Sequence, residues 1–177
     1  MAMNTVRSKL TLITVLVLIF DHLSKYVISR TMSLHDTIDI IPGFFRLSYV
    51  LNTGVAFGWF SDPQPSWKPY LLAVMAIVAV IVILIYSYHM PEERWLLQVS
   101  LAVTMGGILG NFTDRIVRGS VVDFVELHFR DSFHWPTFNL ADTAITVGIA
   151  LLIIDSLKHP DQEVGRQEEA DFSERGL

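Results

Sequence analysis

Four long apolar segments constrain this sequence more than any other feature. They cover residues 10–28, 69–88, 95–112 and 138–157, and each has roughly the 20 residues that a helix needs to cross the hydrocarbon core of a bilayer. Hydrophobic residues make up 51% of the 177-residue chain, well above what a soluble domain of this size needs. We therefore predict an all-α integral membrane protein with four transmembrane helices in one domain, residues 1–157.

The two ends of the chain need separate consideration. The first apolar segment follows Arg7 and Lys9 and so resembles a cleavable signal peptide, but it continues into DHLSKYVIS without a small-residue cleavage site, and we expect a retained membrane anchor. Residues 158–177 are polar and acidic, which is typical of a solvated tail. An even number of spans puts both ends on one side of the membrane, but basic residues are divided equally between the two sides and do not show which.

The composition argues against several classes of chemistry. Because the chain has no cysteine, it has no disulfide, thiol nucleophile or thiolate metal site. Its six histidines form no HExxH-type cluster and there is no glycine-rich phosphate loop, so we predict neither a metal nor an organic cofactor. A net charge of −5 without a basic patch argues against a nucleic-acid partner.

The loops at residues 29–68 and 113–137 do not have the composition of simple connectors. The stretch TIDIIPGFFRLSYVL is rich in β-branched and aromatic residues around a Pro-Gly turn, and SVVDFVELHF has a similar composition. Both loops lie on the side of the membrane opposite the termini. We predict a small β platform on the membrane surface, with two ordinary ordered loops as an equal alternative.

Three polar residues share one face of the first helix. Asp21, Ser24 and Lys25 are spaced i, i+3 and i+4, so Asp21 can pair with Lys25. This face must look into the protein, because charged groups within a span avoid lipid. For Lys25 a self-neutralised structural pair is favoured over a direct role in chemistry. A Ser–Lys nucleophile is set aside, since adjacent helix positions do not face each other.

The motif LNTGVAFGWF places Asn52 and Gly54 where the first loop turns back towards the membrane. On their own these residues indicate only a turn. The turn would lead into a short amphipathic segment that contains Val55, Phe57 and Phe60.

The third apolar segment ends in MGGILGNFTDRIVRG. Gly106 and Gly110 form a small-xxx-small face that suits close helix packing. Asn111 and Arg115 are spaced i, i+4 at the membrane boundary. Arg115 is either a snorkelling side chain or a fixed charge that orients Asp21 or a substrate backbone.

Two aspartates at the same membrane face, Asp123 and Asp142, suggest catalysis. Asp142 lies in the first turn of the fourth helix, where Asn139 is a candidate N-cap and the helix dipole favours an anion, so a capping role is the alternative. Asp123 has apolar neighbours and no adjacent cation. If the loops bring the two carboxylates together, they share one proton. One can then take a proton from water while the other polarises a peptide carbonyl. The helix terminus favours a protonated Asp123, although a coupled pair leaves that assignment open.

Taken together, these motifs resemble those of the bacterial lipoprotein signal peptidases, signal peptidase II. In the family's order they are DHLSK at 21–25, NTGVAF at 52–57, GNFTDR at 110–115, VVDF at 121–124 and FNLADTAITVG at 138–148. With the four spans, the resemblance covers residues 10–157. The sequence departs at His22, where the family usually has Gln, and a position beside the polar helix face should tolerate this change.

The resemblance implies an intramembrane aspartyl peptidase with Asp123 and Asp142 as its catalytic dyad. The residues around the dyad would be Asp21, Lys25, Asn52, Gly54, Asn111, Arg115 and Asn139. The substrate would be a prolipoprotein whose cysteine carries a diacylglyceryl group, cut just before that cysteine.

The family also implies a location. The protein would lie in the bacterial cytoplasmic (inner) membrane, with its termini and the 158–177 tail in the cytoplasm. The dyad and the β platform would face the periplasm or outer surface. Membrane lipid is then a partner, and we expect a monomer, although the sequence does not disclose self-association.

Two alternatives come from other classes of protein. A small four-helix proton-coupled transporter would use Asp21, Asp114, Asp123 and Asp142 as an ion relay, but a relay needs carboxylates at different depths and three of these cluster at one face. A noncatalytic membrane scaffold would tolerate asparagine at the same positions.

Overall fold

The structure is a computed structural model that describes residues 2–54, 67–91, 93–129 and 133–159. Its elements in chain order are α1 (Ala2–Thr31), β1 (Thr37–Ile41), β2 (Phe45–Asn52), α2 (Lys68–His89), α3 (Trp95–Arg118), β3 (Val121–Phe129), β4 (Phe133–His134) and α4 (Leu140–Lys158). The predicted amphipathic segment after Gly54 and most of the polar tail lie outside the described residues.

The four predicted helices are confirmed, and each contains a segment that is long and apolar enough to cross a membrane. Helix α3 is the central one, because it contacts α1, α2 and α4. Helix α2 exposes large apolar side chains along most of its length. Such a surface is typical of helices in contact with lipid, so the exterior of the helices agrees with the membrane class predicted from composition.

Close packing of the helices depends on small residues. A Cβ atom added to Gly106 of α3 would lie 2.7 Å from the Cβ of Val17 on α1, and one added to Gly148 of α4 would collide with the side chain of Thr104. Neither approach is possible for a larger residue without displacing a helix. The predicted packing role of Gly106 is confirmed.

The strands form one antiparallel sheet in the order β1-β2-β3-β4. Pro42 and Gly43 make the turn between β1 and β2, and Gly43 has a φ of 75°, a conformation that glycine adopts without strain. In the pairing of β2 with β3, Asn52 lies opposite Val121. The predicted β platform is therefore confirmed as a sheet, whereas the two-residue strand β4 was not predicted.

The sheet is attached to the helices at two points. Ile28 of α1 and Met32, just after that helix, form a buried apolar cluster with Val122 and Phe124 of β3. Gly119, with a φ of 73°, ends α3 and turns the chain directly into β3. These attachments fix the start of β3 beside the ends of α1 and α3.

A buried charged pair lies at the opposite end of the helices. Arg94, just before α3, donates a hydrogen bond to Asp155 near the end of α4. The Nδ1 atom of His159 lies 3.7 Å from the second oxygen of Asp155. Arg94 and Asp155 are only 6% and 1% exposed. The pair therefore ties the beginning of α3 to the end of α4.

Replacing Asp155 by alanine should lower the thermal stability of the protein. The change leaves the Arg94 guanidinium buried without its carboxylate, which costs about 3–5 kcal/mol. Thermal melting of the detergent-purified protein measures the effect. The double variant Arg94→Met/Asp155→Leu removes both charges and should recover much of the loss. A melting temperature that does not change in Asp155→Ala would show that the pair does not stabilise the fold.

Candidate active site

The ammonium group of Lys25 lies at the centre of a buried ionic cluster. Its Nζ atom is 2.8 Å from Asp21 Oδ2, 2.9 Å from Asp114 Oδ2 and 3.1 Å from Asn111 Oδ1, and the Lys25 side chain is completely buried. Three acceptors match the three hydrogens of the ammonium group. The predicted Asp21–Lys25 pair is thus confirmed, and it ties α1 to α3.

Asp21 also connects this cluster to α4. Its Oδ1 atom accepts a hydrogen bond of 2.9 Å from the backbone N–H of Ala141. That N–H belongs to the first turn of α4, where backbone donors have no partner within the helix. Gly110 makes the approach possible, because a Cβ atom there would lie 2.5 Å from Asp21 Oδ2.

Lys25 fixes the orientation of the Asn111 amide. Since an ammonium group can only donate, the amide oxygen of Asn111 must face Lys25 and its nitrogen must point the other way. That nitrogen donates a hydrogen bond of 2.8 Å to Asp142 Oδ1. The ionic cluster thereby positions the first carboxylate of the predicted dyad.

Asn139 joins both predicted catalytic aspartates. As the N-cap of α4, it accepts a hydrogen bond of 3.0 Å from the backbone N–H of Asp142, and its own backbone N–H donates to Asp142 Oδ2 at 3.2 Å. The predicted cap is confirmed as a reciprocal capping box. The side-chain amide of Asn139 also donates to Asp123 Oδ1 at 2.7 Å and to Asn111 Oδ1 at 3.2 Å. One residue therefore contacts both carboxylates.

Asp123 is held on β3 by a second amide. Asn52, at the end of β2, donates a hydrogen bond of 2.9 Å to Asp123 Oδ2. The oxygen of the same amide accepts from the backbone N–H of Gly54 at 2.8 Å, which forms the turn that the Asn-x-Gly motif predicted. Asn52 and Gly54 therefore lie at the site.

The surroundings of Asp123 favour its protonated form. Burial, and then the nearby charge of Asp142, raise the pKa of Asp123 to about 7, although the amides of Asn52 and Asn139 and the charge of Lys25 act in the opposite direction. A carboxyl group with this pKa keeps its proton to near neutral pH, where an ordinary aspartate has lost it. The pair can therefore hold one proton.

Arg115 closes one side of the site. Its Nη2 atom donates to the backbone oxygen of Gly54 at 2.8 Å, and its Nη1 atom donates to the backbone oxygen of Asn111 at 3.2 Å. Among the described residues these contacts, rather than one to Asp21, determine its position. Its charge also interacts with Asp142 and Asp123. Arg115 thus ties the end of the first loop to α3 and supplies positive charge beside the two carboxylates.

Two participants were not among the predicted site residues, Asp114 and the backbone of Ala141. Asp114 is 2% exposed and lies between Lys25 and Arg118, the latter at 3.7 Å. Its position three residues after Asn111 places both on one helix face, which is a signal that the sequence does contain. No side-chain pattern points to the N–H of Ala141, because its partner comes from another helix.

The candidate site offers carboxylates, amides and two cations at one end of the helix bundle. Within the described ranges, no group of three or more His, Cys, Asp or Glu side chains is arranged to hold a metal ion. Lys25 forms ion pairs with the carboxylates of its cluster, whereas Asp123 and Asp142 receive hydrogen bonds mainly from amides. The latter two are the groups that can exchange protons with a bound molecule.

Comparisons with known proteins identify the family. Residues 13–158 match the family described as signal peptidase (SPase) II. The lipoprotein signal peptidase of Ectopseudomonas mendocina (strain ymp) is 40% identical over 147 residues, which cover 83% of this chain and 86% of that protein. The lipoprotein signal peptidase of Alteromonas mediterranea is 41% identical over 151 residues, which cover 85% of this chain and 81% of that protein.

Solved structures give the same result. Two of them, described as a bacterial membrane enzyme determined by the in meso method at 2.3 and 1.9 Å resolution, superpose with TM-scores of 0.76 and 0.75. Both are 33% identical to this chain; the first covers 88% of this chain and 91% of its own, and the second 86% and 94%. Sequence and structure lead to one conclusion: the chain belongs to the signal peptidase II family.

Proposed function

We propose that this protein is an intramembrane aspartyl endopeptidase that removes signal peptides from diacylglyceryl-modified prolipoproteins, cutting just before the lipidated cysteine. Its relatives are named lipoprotein signal peptidases. The observation that carries the proposal is the joint attachment of Asp123 and Asp142 to Asn139, together with the raised pKa of Asp123. Two neighbouring aspartates, one of which keeps its proton, are the groups that shared-proton peptide hydrolysis uses.

In the first step, Asp142 acts as the base and Asp123 as the acid. Asp142 lies at the N-terminus of α4, where the helix dipole favours a negative charge. It takes a proton from a water molecule as the water oxygen bonds to the scissile carbonyl carbon. Asp123 gives its proton to the carbonyl oxygen, so that a neutral tetrahedral diol forms instead of an unprotected oxyanion.

In the second step, the protons return. The bond between carbon and nitrogen breaks as Asp142 passes its newly acquired proton to the leaving amine of the cysteine. One diol hydroxyl returns its proton to Asp123 and becomes the carbonyl of the signal peptide's new carboxyl terminus. The dyad ends in its starting state, so no other proton donor is needed. Asn139, Asn111 and Asn52 act by positioning, since they hold the two carboxylates.

The proposal extends to the location of the site in the membrane. The ends of α1 and α3 and the beginning of α4 meet at the sheet, so the dyad lies at one membrane boundary. We place this end at the periplasmic or outer face of the inner membrane, and the termini, including residues 158–177, in the cytoplasm. We expect the enzyme to be a monomer.

A proton-coupled transporter receives no support from the family or the relatives. Asp21 and Asp114 both form ion pairs with Lys25, at the same end of the bundle as the dyad. At the other end, Asp155 is paired with Arg94. The alternative of a noncatalytic scaffold is tested by substituting the two aspartates of the dyad.

Replacing either Asp123 or Asp142 by asparagine should reduce signal-peptide release from a modified prolipoprotein by at least about 100-fold, because each variant loses one proton-transfer step. The assay is cleavage by purified protein, with membrane insertion and thermal melting followed in parallel. Asp39→Asn is the matched control, since Asp39 is an exposed carboxylate of β1. Near wild-type release by either dyad variant would support the scaffold instead.

Cleavage should also depend on the lipid. A diacylglyceryl group contributes roughly 0.8 kcal/mol for each methylene buried in the bilayer, and so holds the cysteine at the depth of the dyad. A precursor with serine in place of that cysteine, or one that has not been lipidated, should be processed poorly under conditions where the modified precursor is cleaved. Equal cleavage rates for the two precursors would indicate a general intramembrane peptidase and would contradict the assignment to lipoprotein processing.

A further inference from the structure

A groove beside the dyad is not used by the mechanism above. Its outer wall is the chain from Trp135 to Phe138, which returns from the sheet, and its inner wall is α4 from Asp142 to Val147. The cavity has a volume of about 450 Å³. Asp142 and Val147 are five residues apart, so the groove runs about 7.5 Å along α4, away from the sheet and into the membrane-spanning part.

We infer that this groove binds acyl hydrocarbon of the diacylglyceryl group on the substrate. The inference rests on the proposed function, which does not say where the lipid of the substrate binds. The lipid is attached to the residue that follows the scissile bond, so the hydrocarbon must begin close to the dyad. This groove starts at Asp142 and leads to the surface of α4 that faces lipid, where Ile154, two turns beyond Val147, is 43% exposed.

The size of the groove favours an acyl chain over the helix of a signal peptide. One turn of a helix is about 5.4 Å long and about 10–12 Å wide with its side chains, whereas the groove runs about 7.5 Å along α4. An apolar signal-peptide segment of several turns does not fit within it. A methylene chain is far thinner and can lie along the full length of the groove.

The hydrogen bonds in the walls of the groove also favour an acyl chain over a peptide. The hydroxyl of Thr143 donates to the backbone oxygen of Asn139 at 3.0 Å, and that of Thr146 donates to the backbone oxygen of Asp142 at 2.8 Å. Both hydrogens are therefore engaged within α4. A peptide backbone in the groove would need donors for its carbonyl groups, whereas hydrocarbon needs none.

A second cavity cannot receive the beginning of this lipid. It has a volume of about 240 Å³ and lies among Leu10 of α1, Tyr88 of α2 and Gln98 of α3. These residues lie towards the end of the helix bundle that contains the Arg94–Asp155 pair. The residues of α3 that line it, from Gln98 to Met105, lie about 9–20 Å along the helix from Asn111, which binds Asp142, so this cavity does not adjoin the dyad.

Val147 and Ile149 allow a matched test, because both are β-branched residues of α4 with 46% exposure, and only Val147 lines the groove. Val147→Trp should fill the groove and Ile149→Trp should not. For a precursor with two palmitoyl chains we expect Val147→Trp to raise KM about tenfold. This is the effect expected when about two methylene groups of the acyl chain lose their contacts with the protein. For a precursor with two hexanoyl chains the rise should be much smaller, and Ile149→Trp should resemble wild type with both.

Photocrosslinking tests the same contact without relying on turnover. A precursor whose palmitoyl chain carries a diazirine is bound to the Asp123→Asn variant and irradiated, and the modified residues are identified by mass spectrometry. Crosslinks should fall on α4 around Val147. Crosslinks from the acyl chain to α1 or α2, or crosslinks in the groove from a diazirine in the signal peptide, would overturn the inference.

Failure of the inference and failure of the proposed function give different results. If wild-type protein cleaves both precursors while Val147→Trp and Ile149→Trp behave alike, the groove does not bind the acyl chain but the peptidase assignment stands. If wild-type protein cleaves neither precursor, the proposed function is wrong, and the groove assignment is lost with it.

Discussion

The buried ammonium group of Lys25 is the interaction on which the rest of the site depends. It binds Asp21 of α1 and Asp114 and Asn111 of α3, and Asp21 extends the connection to the backbone of α4 at Ala141. Three helices are thereby fixed relative to one another at the end where the sheet is attached. None of these charges could be buried alone, because removing one partner of such a cluster leaves an uncompensated ion that costs several kcal/mol.

The ionic cluster also sets the geometry of the dyad. Because Lys25 can only donate, Asn111 presents its oxygen to Lys25 and its nitrogen to Asp142. Asn139 then has one hydrogen for Asn111 and one for Asp123. The orientation of each amide follows from the previous one. This explains how a site made of small polar groups keeps two like charges close together, with the proton on Asp123 reducing their repulsion.

Much of the fold could be predicted because its signals are local. The helices follow from the length of the apolar segments, the Asp21–Lys25 pair from i, i+4 spacing, and the Asn139 cap from its place before an apolar helix. Strands β1 and β2 follow from the β-rich composition around a Pro-Gly turn, and β3 follows from the β-branched and aromatic composition of SVVDFVELHF.

The remaining features depend on tertiary contacts that the sequence does not encode locally. The bond from Asn139 to Asp123 joins residues 16 apart, and its geometry is set by the bridge between Val125 and Phe138. Arg94 and Asp155 are 61 residues apart and meet only because α3 and α4 pack side by side. Strand β4 has two residues, too few to give a periodic pattern.

The pH dependence of kcat/KM for a lipid-modified precursor tests the central claim, one proton shared by Asp123 and Asp142, most directly. With the pKa of Asp123 at about 7, the free enzyme carries the catalytic proton below that pH and loses it above, so kcat/KM should fall as the pH rises through about 7. Asn52→Ala removes a hydrogen bond that favours ionised Asp123, so its fall should come at higher pH, while the Asp39→Asn control should match wild type. A kcat/KM that stays constant from about pH 6 to about pH 8, or a fall that Asn52→Ala leaves in place, would contradict the account.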